Sequence, residues 1–259
     1  MKRLLVGLLL FVPAALFAQS AFDGIWVFTA ESGQFGGKPM ILSLKDGIYR
    51  CDSCVPKIET EADGKDHKRT GSPYNDVINI RVVDDRTVES IGKKRGKVVG
   101  KSIDTVSQDG NTLTSNFTFT ADNGEKGSGT TIYKRVAPAP PGAHKISGTW
   151  QTEKLENASA SMMTVTYKSS GDGLSMSDPT GDSYTAKFDG KEYSYKGDPG
   201  TTSVSLKKID DHTIEETDFR NGKVISVSRM TVSPDGRTMK VESEDKLHGT
   251  TAKFEGKKQ

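Results

Sequence analysis

Two cysteines and two tryptophans are all that the 259 residues contain of either type, and aromatic residues make up only 7% of the chain. So few cysteines exclude a disulfide-dense scaffold. After the first twenty residues there is no long apolar run, so no later segment could cross a bilayer as a helix. Charge of one sign is missing too. Lys2 and Arg3 account for the whole formal charge of +2, and the remainder of the chain is neutral. A neutral chain with interspersed Lys and Glu offers no electrostatic footprint for nucleic acid or an anionic membrane, and with no second apolar segment no stable membrane insertion is expected. No Ser/His/Asp order, phosphate-binding glycine loop or cofactor motif stands out. The four histidines, His67, His144, His212 and His248, are scattered, so neither a metal site nor a set of catalytic residues is expected.

What is present begins with a leader. Lys2-Arg3 precede an apolar run from Leu4 to Ala18, followed by small residues up to Ser20. The run is too short to span a bilayer, for which about 20 residues are needed. A charged start, a short apolar middle and small residues at its end make residues 1–20 a cleavable signal peptide. The chain is expected to be exported, to the periplasm or beyond.

The rest of the sequence says nearly the same thing twice. Val83-Asp84-Asp85-Arg86-Thr87-Val88-Glu89 returns as Ile209-Asp210-Asp211-His212-Thr213-Ile214-Glu215, Gly96-Lys97-Val98-Val99 as Gly222-Lys223-Val224-Ile225, and Asp109-Gly110-Asn111-Thr112-Leu113 as Asp235-Gly236-Arg237-Thr238-Met239. All three pairs are offset by 126 residues. A solenoid would repeat about every 20–50 residues, so the offset implies a duplicated domain. Residues 137–145, rich in proline, read as a semi-rigid extended linker between domains at 21–136 and 146–259.

Within each copy the apolar period is two. Ile78, Ile80 and Val82 alternate with Asn79 and Arg81, and Val204 and Leu206 take the corresponding places in the second copy. Such alternation is the pattern of strands with one face on a core. Asp63-Gly64, Asp109-Gly110, Asp189-Gly190, Asn221-Gly222 and Asp235-Gly236 are dipeptides suited to tight hairpins. Eight to ten strand-like runs follow one another between residues 148 and 255, with a short helix possible between Glu153 and Ser159. Consecutive hairpins that close on themselves leave no free edge. The fold class expected is all-β, with two tandem antiparallel up-and-down barrels.

Each copy opens with Gly-x-Trp, at Gly24-Ile25-Trp26 and Gly148-Thr149-Trp150. Here the sequence resembles lipocalins and the wider calycin group, in which this motif lies on the first strand and the indole packs across one barrel end. The resemblance implies lipocalin-like barrels, each with room for a small apolar ligand. It also implies a basic residue from the last strand over each indole, for which Lys134 or Arg135, and Lys253, are candidates. Gly24, Trp26, Gly148 and Trp150 are thus expected to form the structural motif of the barrel ends.

Cys51-Asp52-Ser53-Cys54 is the constellation with the most chemical potential. A structural disulfide, a labile one and a metal site are all compatible with two such cysteines in an exported chain. The flanking Ile48-Tyr49-Arg50 and Val55-Pro56 read as extended chain rather than a helix N-terminus. That favours a structural bridge closed by an Asp52-Ser53 turn over thioredoxin-type chemistry. The doubled acids Asp84-Asp85 and Asp210-Asp211 read as turn caps. The function expected is that of an exported, non-enzymatic binding protein for a small apolar ligand within a barrel. A cell-envelope scaffold with filled barrels is the alternative, and a redox-active Cys-pair protein comes third.

Overall fold

A computed structural model describes residues 20–259; the expected signal peptide, apart from Ser20, lies outside the described residues. Most of the described chain is strand. The first copy contains β1 (Gly24–Phe28), β2 (Gln34–Gly37), β3 (Met40–Lys45), β4 (Ile48–Cys51), β5 (Ile58–Glu61), β6 (Asp63–Lys68) and β7 (Val77–Val82). It continues through β8 (Thr87–Lys94), β9 (Lys97–Val106), β10 (Thr112–Thr120) and β11 (Lys126–Ala137). The second copy has β12 (Gly148–Glu156), β13 (Thr164–Ser170), β14 (Gly173–Ser177), β15 (Ser183–Lys187) and β16 (Tyr193–Lys196). It ends with β17 (Ser203–Lys208), β18 (Thr213–Arg220), β19 (Lys223–Val232), β20 (Thr238–Asp245) and β21 (Thr250–Lys258). One short α-helix, α1 (Ala160–Met163), precedes β13, and a single 3₁₀ turn, Ala30–Ser32, lies between β1 and β2. The helix expected between Glu153 and Ser159 is displaced, because pairing with β11 keeps β12 extended as far as Glu156.

These strands build two antiparallel barrels, as the alternation implied. In one, β12, β11, β10, β9, β8, β7 and β6 run on from β3, β4 and β5, so the barrel is nearly closed where β5 and β6 meet. In the other, β1 is followed by β13 through β21, and β21 pairs back onto β1 to close the ring, with β2 extending β21. Inward residues follow the period of two. Ile78 and Ile80 are buried in the first barrel, and Val204 and Leu206 at the equivalent places in the second. Hairpin chemistry repeats with them. Arg95-Gly96 and Asn221-Gly222 both turn with two consecutive positive φ angles, 51° and 78° in one and 53° and 75° in the other. That geometry matches the right-handed twist of the strands they join. Asp63-Gly64 does not make a hairpin; it lies within β6, where the pairing with β7 slips between Asp63 and Asp66.

The copies exchange their Gly-x-Trp strands. β1 pairs with β13 and β21 of the second copy, in the registers Trp26↔Val165 and Trp26↔Lys258. β12 pairs with β11 and β3 of the first, with Trp150 opposite Arg135 and Met40. Sheet membership therefore differs from the contiguous division at 21–136 and 146–259 at these strands. The proline-rich segment also plays a different part from a spacer: it joins β11 to its neighbour β12 within one sheet, with Ala137 paired to Thr149. Buried Ser147 fixes the end of this connection, accepting the Leu44 N–H at 2.8 Å. The chain crosses between barrels instead at Lys38-Pro39 and at residues 157–163. Proline lacks an N–H and holds the preceding residue extended. The two-residue step from β2 to β3 therefore runs across to the other barrel rather than folding back.

Candidate ligand site between the barrels

Both barrel ends are built alike. Trp26 and Trp150 are fully buried, and each indole N–H donates to the carbonyl four residues earlier, on Phe22 at 2.7 Å and Ile146 at 2.9 Å. A cation covers each ring: the Arg135 guanidinium lies 4.0 Å from the Trp150 centroid, and the Lys258 ammonium 5.0 Å from that of Trp26. Of the expected covering residues Arg135 takes the place, whereas Lys253 forms an ion pair with Glu242 and Lys258 stands over the indole. The glycine of Gly-x-Trp makes the approach possible. At Gly148, with φ of 141°, a Cβ would lie 2.2 Å from an Arg135 nitrogen. These are filled, structural ends, with the large indoles serving as core.

Cys51 and Cys54 form a disulfide with Cα atoms 5.4 Å apart. Cys51 is buried in the first barrel's core and the bridge closes the end of β4. Asp84 and Asp210 cap turns, each accepting the backbone N–H two residues on at 2.8 Å. Although no metal site was expected, ligand atoms of Glu61, Asp63 and His67 lie within 4.8 Å of one another. The slip in β6 gathers them, but Asp63 is already engaged by His67 and by the Lys65 ammonium at 3.2 Å.

Buried polar chemistry lies elsewhere, in positions that strand parity assigns to the barrel interiors. Along β18, Ile214, Glu216 and Asp218 point to the same side, and Ile214 belongs to the second barrel's core. The Tyr184 hydroxyl donates to Glu216, and Ser226 donates to Asp218 at 2.7 Å, while the other Asp218 oxygen is enclosed with no partner among the described residues. Burial raises both carboxyls above their ordinary range, helped at Glu216 by the Asp218 charge and at Asp218 by the Asp198 charge. The first barrel has Ser90 and Gly92 at these places and instead buries Asp104, which accepts from Ser115 at 2.5 Å. The second barrel is thus lined by acids and tyrosines as well as by apolar side chains.

Acidic residues continue from this interior to its mouth, where the two barrels meet. Asp178 accepts the Asp182 N–H at 3.0 Å, and Asp198 accepts the Gly200 N–H at 2.8 Å and the Thr201 hydroxyl at 2.6 Å. Asp182 is pushed up to about 7, chiefly by burial and then by the neighbouring Asp178 and Asp198. Facing these turns is Tyr74 of the first barrel. Tyr74 and Gly200 are equivalent positions in the two copies, and they meet: a Cβ on Gly200 would lie 2.0 Å from the Tyr74 hydroxyl oxygen. Asn123 adds a second link, donating to the Pro179 carbonyl at 3.0 Å. Between these links is a cleft of about 480 Å³, with Val99, Phe119 and Ala121 on one side and Asp182, Asp198 and Pro199 on the other.

The chain matches no protein-family model, and no curated protein is matched by it. No helix among the described residues is long and apolar enough to cross a membrane.

Proposed function

We propose that this is an exported binding protein that holds a small ligand in the cleft between its two barrels. The cleft itself carries the reading. At about 480 Å³ it falls within the usual range of small-molecule sites, which are apolar with a few convergent polar groups. Val99, Phe119 and Pro199 supply the apolar surface, and Asp182 and Asp198 the polar one. Export is supported by the leader and by the Cys51–Cys54 bridge, since disulfides persist in oxidising compartments. Both copies line the site, so the duplication creates one composite site instead of two equivalent ones.

A scaffold role is favoured by the plugged barrel ends and the dense core of the first barrel, where Ile80, Val88, Val106 and Leu113 are fully buried. An environment-sensitive apolar dye, titrated into the full chain, separates the two. Saturable binding that is lost in Phe119→Asp supports the cleft; its absence in the unaltered chain leaves the scaffold reading.

A further inference from the structure

We infer that the ligand of this cleft is a small organic cation, a protonated amine on an apolar body. This deepens the binding reading above and rests on it. The lining charges are three carboxylates, Asp122, Asp182 and Asp198, against one ammonium, Lys94. Their roles differ. Both oxygens of Asp198 are occupied by its own turn, whereas Asp182 forms no salt bridge among the described residues. Asp182 is faced by Asp178, Asp198, Tyr195 and Tyr74; the nearby Arg220 guanidinium lies beside Tyr74, where it donates to the Gly200 carbonyl, and forms no salt bridge with Asp182 among the described residues.

A half-buried carboxylate beside two others takes up a proton or a cation more readily than a solvated one does. An ammonium group supplies that charge and its N–H donors, while its apolar body covers Phe119, Val99 and Pro199. An anionic ligand would meet the acids at the same end, and a neutral one would leave Asp182 to be satisfied by a proton. The body is limited to small molecules by the cleft volume and by the Tyr74–Gly200 and Asn123–Pro179 links beside it.

The test is calorimetry on the full chain with n-octylamine, n-octanol and octanoate as probes. Octylamine should bind one to one, more tightly than octanol, and octanoate should not bind. Because the ammonium favours ionised Asp182, whose pKa is about 7, octylamine affinity should rise about tenfold between roughly pH 6 and pH 8. Octanol should show the opposite trend or none. Asp182→Asn should reduce the amine to the affinity of the alcohol and abolish the pH dependence. Equal, pH-independent binding of amine and alcohol to the unaltered chain would overturn the cationic class while leaving the cleft as a binding site. Failure of all three probes to bind would overturn both readings. The comparison of probes on the unaltered chain requires no variant to fold.

Discussion

Replacing Trp26 by alanine should destabilise the barrel built mainly from the other copy. Trp26 lies in the first repeat, yet its indole is fully buried among Tyr167, Leu174, Leu206 and Met239 of the second. Truncating a buried aromatic to alanine typically costs about 3–5 kcal/mol. Here it also strips the Lys258 ammonium of its ring and the Phe22 carbonyl of its donor. Since each 1.36 kcal/mol is a factor of ten, amide exchange governed by opening of this barrel should accelerate about 10²- to nearly 10⁴-fold. Hydrogen-exchange mass spectrometry resolves the location. Peptides from β17 to β20 should lose protection in Trp26→Ala, while those from β7 to β10 keep it, and Trp150→Ala should do the reverse. Loss of protection confined to β7–β10 in Trp26→Ala would refute the strand exchange, because it would place the indole in its own repeat.

Further outcomes follow from the same geometry. Residues 38–159 should fold cooperatively alone, whereas 160–259 should need a peptide of residues 20–37 added in trans; a stable closed barrel from 160–259 without that peptide, judged by circular dichroism and thermal melting, would contradict the role of β1. Removing the disulfide as Cys51→Ala with Cys54→Ala should preserve the fold and lower stability by at most about 2–4 kcal/mol, read by denaturant titration. Glu216 and Asp218 keep their protons to higher pH in the folded chain than in the unfolded one, so the folded state binds more protons above the ordinary glutamate value of 4.5. Stability should therefore fall as pH rises from roughly 5 to 8, and Glu216→Gln should flatten that decline. Gly200→Ala should cost about 1–3 kcal/mol through overpacking against Tyr74 and the Arg220 guanidinium, and adding Tyr74→Ala should recover part of it.

Much of this architecture is legible from residue order alone, because alternation and turn chemistry are local. All ten runs between residues 148 and 255 are strands, β12 to β21. That Arg135 covers an indole matches its place on the last strand before the proline-rich segment, but the ring it covers is Trp150 of the second copy rather than Trp26 of its own. The partner of each Gly-x-Trp strand is not legible. β1 and β12 carry the same motif, so neither the pattern nor the motif says which barrel receives which strand. The signal that could have been used is Pro39, two residues after β2, which prevents a return hairpin. The buried acids carry a plainer signal: Glu216 and Asp218 share parity with Ile214, so their inward position follows once Ile214 is placed in the core. The cleft could not be foreseen, because Phe119 and Asp182 lie on different copies and are brought together only by the way the barrels meet.

The meeting of Tyr74 with Gly200 has a meaning beyond the space it fills. In a homodimer of single repeats, two-fold symmetry presents the same residue from both sides of a contact on its axis. A tyrosine there would confront a tyrosine, and a glycine would confront an empty gap. Covalent fusion of the two copies removes that obligation, and each half becomes free to change alone. One has kept a large side chain and the other has none, so that knob and socket could arise where symmetry would forbid both. The strand exchange joins the halves as a symmetric pair would be joined, and the single chain lets their junction become one-sided, with an aromatic wall from one copy and an acidic wall from the other.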